Sequence, residues 1–349
     1  MNVSELNDLV YWVTQEIVKT QIPKKYQVLQ QVLQQNVQPN QKQPFEAQKN
    51  DLIEAITKVP LSQLTKEQLL FLQKLGIAQA VGEEGVHVIE DILYKNVIDI
   101  ATSAKKIQEI LQKMNQGIQK ADQIKTGLDG CVFEEEYEIE QEVLIRVSFT
   151  GLAAMANVTD FKKWGNIWHE IGRGIAMAHN ATPEDVRIIG ATRGSVIIEL
   201  ATIPTIATTV SMVIFSSLKL AEKILKIRKT AEEIKNLQLQ NKKLANELEK
   251  EADNEKKSGI EKIFESLVGK LKIKKEGDGD KINALNKAVE NLVNFIESGG
   301  EVDFVVPEDK DDNSASTPNY EELKIAIKEI RQLESKLKLL EFKSEKSNE

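Results

Sequence analysis

At 349 residues, with 29% charged and 41% hydrophobic positions, the chain has the length for two or three domains and the composition of an ordinary folded protein. A net charge of -8 and a pI near 5.3 argue against a nucleic-acid partner, and the one short basic cluster, KLKIKK at 270–275, reads as a solvated helix end. A single cysteine, Cys131, excludes an intrachain disulfide, fits a reducing cytoplasm and has no cysteine-enzyme signature around it.

The opening stretch MNVSELNDLVYWVTQEIV mixes acids with apolar residues and lacks a basic start, unlike a secretion signal. Ser4 is placed to cap a helix with Leu6, Leu9, Val10, Val13, Ile17 and Val18 on one face. QQNVQPNQKQP reads as a loop, and TKEQ at 65–68 has capping-box spacing. Gly76, Gly82 and Gly85 mark a break. Beyond it, Val86, Ile89, Leu93, Val97, Ile100, Ala104, Ile107, Leu111, Met114, Ile118, Ala121, Ile124 and Leu128 step by three or four, which predicts one long heptad-like helix over 86–128. At 1.5 Å per residue it would span roughly 60 Å and need a partner helix. It closes an all-helical segment, 1–130.

Periodicity then changes. In YEIEQEVLIRVSF, Tyr137, Ile139, Val143, Ile145, Val147 and Phe149 alternate with polar residues, Leu144 being the apolar exception, which is the pattern of a strand with one buried face. TD at 159–160 is placed to cap a helix with Phe161, Trp164, Ile167, Trp168, Ile171 and Ile175 on one side, and Asn180 and Pro183 to end it. VRIIGATRGSVIIEL predicts a hairpin, and Pro204 a helix start. That helix is expected to run on through Leu220, Ile224, Ile227, Ile234, Asn241, Leu244 and Leu248 to a polar break at EADNEKKSG. Shorter helices follow over about 258–272 and 282–295, then the strand EVDFVV. Residues 307–319 read as a disordered linker before a C-terminal helix and tail over 320–349.

The resulting expectation is an α+β protein, mainly helical, with coiled-coil-like helices. Residues 131–306 form a ferredoxin-like βαββαβ head whose last connection carries a helical arm, about 219–298. The uncharged run between Glu199 and Lys219 then needs no membrane. Pro204 divides it into a strand and a helix rich in Thr and Ser, and too few residues follow before Lys219 to span a bilayer.

No reaction chemistry emerges. His87, His169 and His179 lack metal-ligand spacing, GRG at 172–174 and GATRG at 190–194 match no phosphate loop, and the acidic runs DGDK and EDKDDN lack the calcium-loop pattern. No catalytic residue, metal or cofactor is therefore assigned. The candidate interaction seam is Val97, Ile100, Ile107, Leu111 and Ile118, with Ile224, Ile227, Ile234, Asn241, Leu244 and Leu248. Asn241 is the type of seam residue that fixes register. Arg193, at the hairpin turn, is a candidate ligand contact.

VRIIGATRGSVIIELAT, KILKIRKTAEEI and ALNKAVENLVNFIESGGEVDFVVPED resemble a widespread group of uncharacterised bacterial proteins over roughly 135–310. At fold level, βαββαβ with a long helix resembles the TRADD-N-type adaptor domains of bacterial conflict systems. That resemblance implies an adaptor role in defence or signalling. The expectation is a non-enzymatic cytoplasmic adaptor or self-assembling scaffold, as a homo-oligomer or in complex with another protein. The alternatives are a membrane-active, pore-forming effector that inserts 201–218 and a small-ligand sensor using Arg187, Arg193 or Trp168.

Overall fold

A computed structural model describes residues 1–38, 42–95, 99–130, 142–192, 196–236, 242–274, 278–307 and 320–345. The chain divides into two compact units, Met1–Glu138 and Ile139–Glu349, each with a hydrophobic core of its own.

The described part of the first unit is helical: α1 (Val3–Trp12), α2 (Ile22–Gln35), α3 (Glu46–Thr57), α4 (Lys66–Lys74), α5 (Gly82–Lys95) and α6 (Ile100–Gly127). Asn2, not Ser4, caps α1, in a reciprocal box with Glu5. Thr65 and Gln68 cap α4 in the way the TKEQ spacing predicts.

The single helix expected over 86–128 is two helices. Asp99 leaves the helical region (φ -118°, ψ 80°), and its carboxylate accepts from the Thr102 amide at 3.1 Å to start α6 afresh. The Ser103 hydroxyl donates to the Ile92 carbonyl in α5 at 3.1 Å. A side chain able to cap thus outweighs an unbroken apolar period. α6 packs chiefly on α2 and also meets α1 and α5. A Cβ at Gly117 would lie 2.2 Å from the Leu75 carbonyl oxygen, so glycine permits the close crossing there.

The second unit contains β1 (Val143–Phe149), α7 (Val158–Ala178), β2 (Arg187–Thr192), β3 (Val196–Thr202), α8 (Pro204–Asn236), α9 (Lys242–Lys270), α10 (Gly279–Glu297), β4 (Glu301–Val305) and α11 (Glu321–Glu345). The strands form one sheet in the order β2-β3-β1-β4, and every neighbouring pair is antiparallel. The fold is α+β and mostly helical. The part of the first strand expected at 137–141 lies outside the described residues.

Alternation along β1 sends Val143, Ile145, Val147 and Phe149 into a core shared with Leu200, Val302 and Phe304 and with residues of α7, α8, α10 and α11. At one end, Phe149, Trp164 and Phe295 meet with ring centroids 5.3–6.1 Å apart. Tilted and edge-on pairs of this kind each add about 0.5–1.5 kcal/mol beyond area burial. Gly174 lets α7 and α10 approach, since a Cβ there would stand 2.3 Å from the Ala284 carbonyl oxygen.

Four expectations for this unit are corrected. Asn157 caps α7 in place of Thr159–Asp160, accepting from both of their amides. Phe161, expected on the apolar side of this helix, is 56% exposed. The helix that starts at Pro204 ends at Asn236 among the described residues, and α9 runs straight through the supposed break EADNEKKSG. Ala252 and Gly259 within it are buried against α8, and its charges pair across to α8 and α10: Glu255 with Lys223 at 2.7 Å, Asp253 with Arg228 at 3.7 Å, and Lys256 with Glu297 at 2.5 Å. Finally, α11 is not a separate tail. Tyr320, Leu323, Ile327 and Ile330 are buried in the core of this unit, and α11 packs on α8 and β4. Residues 308–319 of the linker expected over 307–319 lie outside the described residues.

Candidate interaction surface

The two halves of the expected seam have different fates. On α6, Ile107 and Leu111 are buried in the first unit's core, and Ile100 and Ile118 pack against it half-buried. That stripe is used within the chain, so it is not an open interaction surface. Val97 lies outside the described residues.

The second half builds a hairpin. Lys223–Glu255, Arg228–Asp253 and Lys235–Glu249 run in opposite sequence directions, so α8 and α9 pack antiparallel. On α8 the seam residues are Leu220, Ile224, Ile227, Ala231 and Ile234. On α9 the buried column is Ala245, Ala252 and Gly259, spaced by seven. Small residues on one partner let the helix axes come close: a Cβ at Gly259 would fall 2.5 Å from Leu220 Cδ1. Leu244 and Leu248, expected on the seam, flank this column instead. Leu244 is 40% exposed, and Leu248, Ile227 and Ile234 are half-buried. Asn241 lies outside the described residues.

The sequence reading missed a row of charges on the sheet face opposite the core. Arg146 on β1 stands in register between Glu199 on β3 and Asp303 on β4. Its Nε lies 3.2 Å from Glu199 Oε1, and only 4% of the Arg146 residue is exposed. Arg331 on α11 reaches Asp303 Oδ1 at 2.9–3.0 Å and donates to the Phe304 carbonyl at 3.2 Å. The row ties β1 to β3 through Arg146 and Glu199, and α11 to strand β4 through Arg331 and Asp303. A slip of one residue would move Arg146 to the apolar face, so the row also fixes register. A signal for it exists in IRV, IEL and VDF, where each strand carries one charge between apolar residues.

Glu222 makes a second tie. Its carboxylate accepts from Lys226 at 2.6 Å and pairs with Lys336 of α11 at 2.8 Å. Those two hydrogen bonds hold its pKa below the usual carboxylate value.

Among the described residues, no three His, Cys, Asp or Glu side chains are grouped to hold a metal. His87 and His169 are exposed, while His179 is half-buried with Nε2 2.8 Å from Thr209 Oγ1. A cleft of ≈ 180 Å³ beside Leu218, Ile224, Gly300, Glu334 and Leu337 is below the usual size of a small-molecule site. Arg187 is paired with Glu142, and Trp168 packs edge-on against Phe295 at 5.2 Å. Arg193 lies outside the described residues. Among the described residues, Arg187 and Trp168 are not brought together into a ligand site.

α8 is the one helix among the described residues long and apolar enough to cross a membrane by length and composition, and 56% of that apolar window is buried. Three of its hydroxyls bond within the helix: Thr208 donates to the Pro204 carbonyl, Ser211 to Thr208 and Ser217 to Val213. No family model, curated protein or solved structure matches the chain.

Proposed function

We propose that this protein is a non-enzymatic interaction protein, an adaptor or self-assembling scaffold that pairs through its α8–α9 hairpin. The observation that carries the reading is the apolar surface the hairpin still shows: Leu244 is exposed, and the seam residues Ile227 and Ile234 and the flanking Leu248 are only half-buried. Burial of such a strip against a second helix pair is favourable, and the surrounding Lys and Glu residues select the partner. The occupant we favour is the same strip of a second copy, because an isologous contact places like apolar residues together without a second gene product.

The finer architecture belongs to the same proposal. The order β2-β3-β1-β4, with β1 between two antiparallel neighbours, supports a ferredoxin-like head. The α8–α9 hairpin is then an insertion with coiled-coil-like packing ahead of α10. The likeness to bacterial adaptor domains extends the proposal to a cytoplasmic role in defence or signalling.

Size-exclusion chromatography with light scattering tests the reading. The expected result is a mass at least twice the 39.2 kDa chain at micromolar concentration. Leu244→Glu with Leu248→Glu should return the monomer without lowering the melting temperature. A wild-type monomer that captures no partner sinks the proposal.

A further inference from the structure

The connection from β1 and the first turn of α7 carry the two most exposed large hydrophobic residues among those described, Leu152 at 87% and Val158 at 83%, and three residues on, Phe161 is 56% exposed. Their display is built in. Gly151 adopts φ +59°, and the Ala153 amide donates to the Ser298 carbonyl at 3.0 Å, which pins the turn that carries Leu152. Val158 and Phe161 are three apart in the first turn of α7, on the same side of the helix. The next two residues, Lys162 and Lys163, are exposed.

We propose that this tip docks on an anionic membrane surface, seating Leu152, Val158 and Phe161 at the headgroup boundary with Lys162 and Lys163 on the lipid phosphates. Three side chains offer on the order of 400 Å² of apolar surface, about half of what each partner gives to a standard protein interface. A bilayer sets no such threshold, because each apolar side chain enters it independently and each nearby lysine adds its own attraction.

The local charge fits, although the whole chain is acidic. Asp160, the only acid between 150 and 165, accepts from the Ala156 amide at 3.1 Å. At the adjoining turn, Glu297 pairs with Arg228 and Lys256, and Glu301 with Lys338. Acids farther away than about 8–10 Å are screened at physiological salt. This docking is separate from the hairpin pairing proposed above, and it leaves α8 in the core.

Flotation of the full chain with phosphatidylcholine vesicles, with and without phosphatidylserine, tests the proposal. Wild type should float with the phosphatidylserine vesicles and detach as salt rises. Leu152→Ser with Phe161→Ser, and separately Lys162→Glu with Lys163→Glu, should each weaken that binding about tenfold or more, since tenfold corresponds to only about 1.4 kcal/mol. All four side chains are solvent-facing, so unchanged melting curves will show that the variants remain folded. No flotation of wild type, or flotation of the serine variant equal to wild type, overturns the proposal. So does a serine variant that loses an oligomer in light scattering but keeps its vesicle binding, which would make the tip a protein interface.

Discussion

His179 stands where the end of α7 meets the start of α8. Asn180, at φ +58°, turns the chain out of the helix, and the imidazole is left half-buried against Thr209. Burial disfavours the imidazolium and lowers its pKa below the usual value of about 6.5. The sign follows directly. Above the ordinary value both folded and unfolded chains hold neutral histidine, and the contribution is fully present. As pH falls through the ordinary value towards the folded one, the unfolded chain takes the proton first and stability drops. Urea denaturation between pH 7.5 and 5.5 should therefore show a falling midpoint. His179→Gln, which keeps an amide for Thr209 and cannot titrate, should flatten that fall. An equal slope in both proteins would assign the pH dependence to other groups. The sequence made His179 visible only as one of three histidines without ligand spacing. Its partner Thr209 is thirty residues away, and nothing local announces the contact.

At the level of elements, α8 decides between a core helix and an inserting one. Val213 is fully buried and Thr205, in the first turn, is exposed. Val213→Asp should cost about 3–5 kcal/mol or abolish folding, because it buries a carboxylate among aliphatic side chains. Thr205→Asp should be neutral or slightly stabilising, since it places an anion at a helix N-terminus. Chemical denaturation of the two variants separates the cases, and a near-neutral Val213→Asp would reopen the membrane reading. The start of this helix was legible because Pro204 is tolerated in a first turn and follows a β-branched run. Its end was not. EADNEKKSG is a break by composition, yet Asp253, Glu255 and Lys256 all find partners on α8 or α10. Partners of that sort are tertiary facts. The same holds for Arg146. Period two placed it correctly opposite Val147, but its burial depends on Glu199 and Asp303 arriving from distant strands.

For the whole molecule, the decisive feature is that each unit has its own core. Leu9, Ile17, Tyr26, Leu52, Ile107 and Met114 are fully buried in the first, while Val147, Phe295, Val302 and Phe304 are fully buried in the second. The first unit also satisfies its deepest polar group internally: the Tyr26 hydroxyl, whose pKa is pushed up by burial, donates to the Ala80 carbonyl at 2.7 Å. A unit of 138 residues has the size at which one core suffices for a cooperative transition. Met1–Glu138 and Ile139–Glu349, produced as separate fragments, should therefore each unfold cooperatively, and their two calorimetric transitions together should account for the melting of the full chain. A fragment that melts without a transition and exposes apolar surface to a hydrophobic dye would mean that its core depends on the other unit. Independent folding would also localise the two proposed activities. Vesicle binding and self-association should both persist in the second fragment alone, because Leu152, Phe161, Leu244 and Leu248 all belong to it.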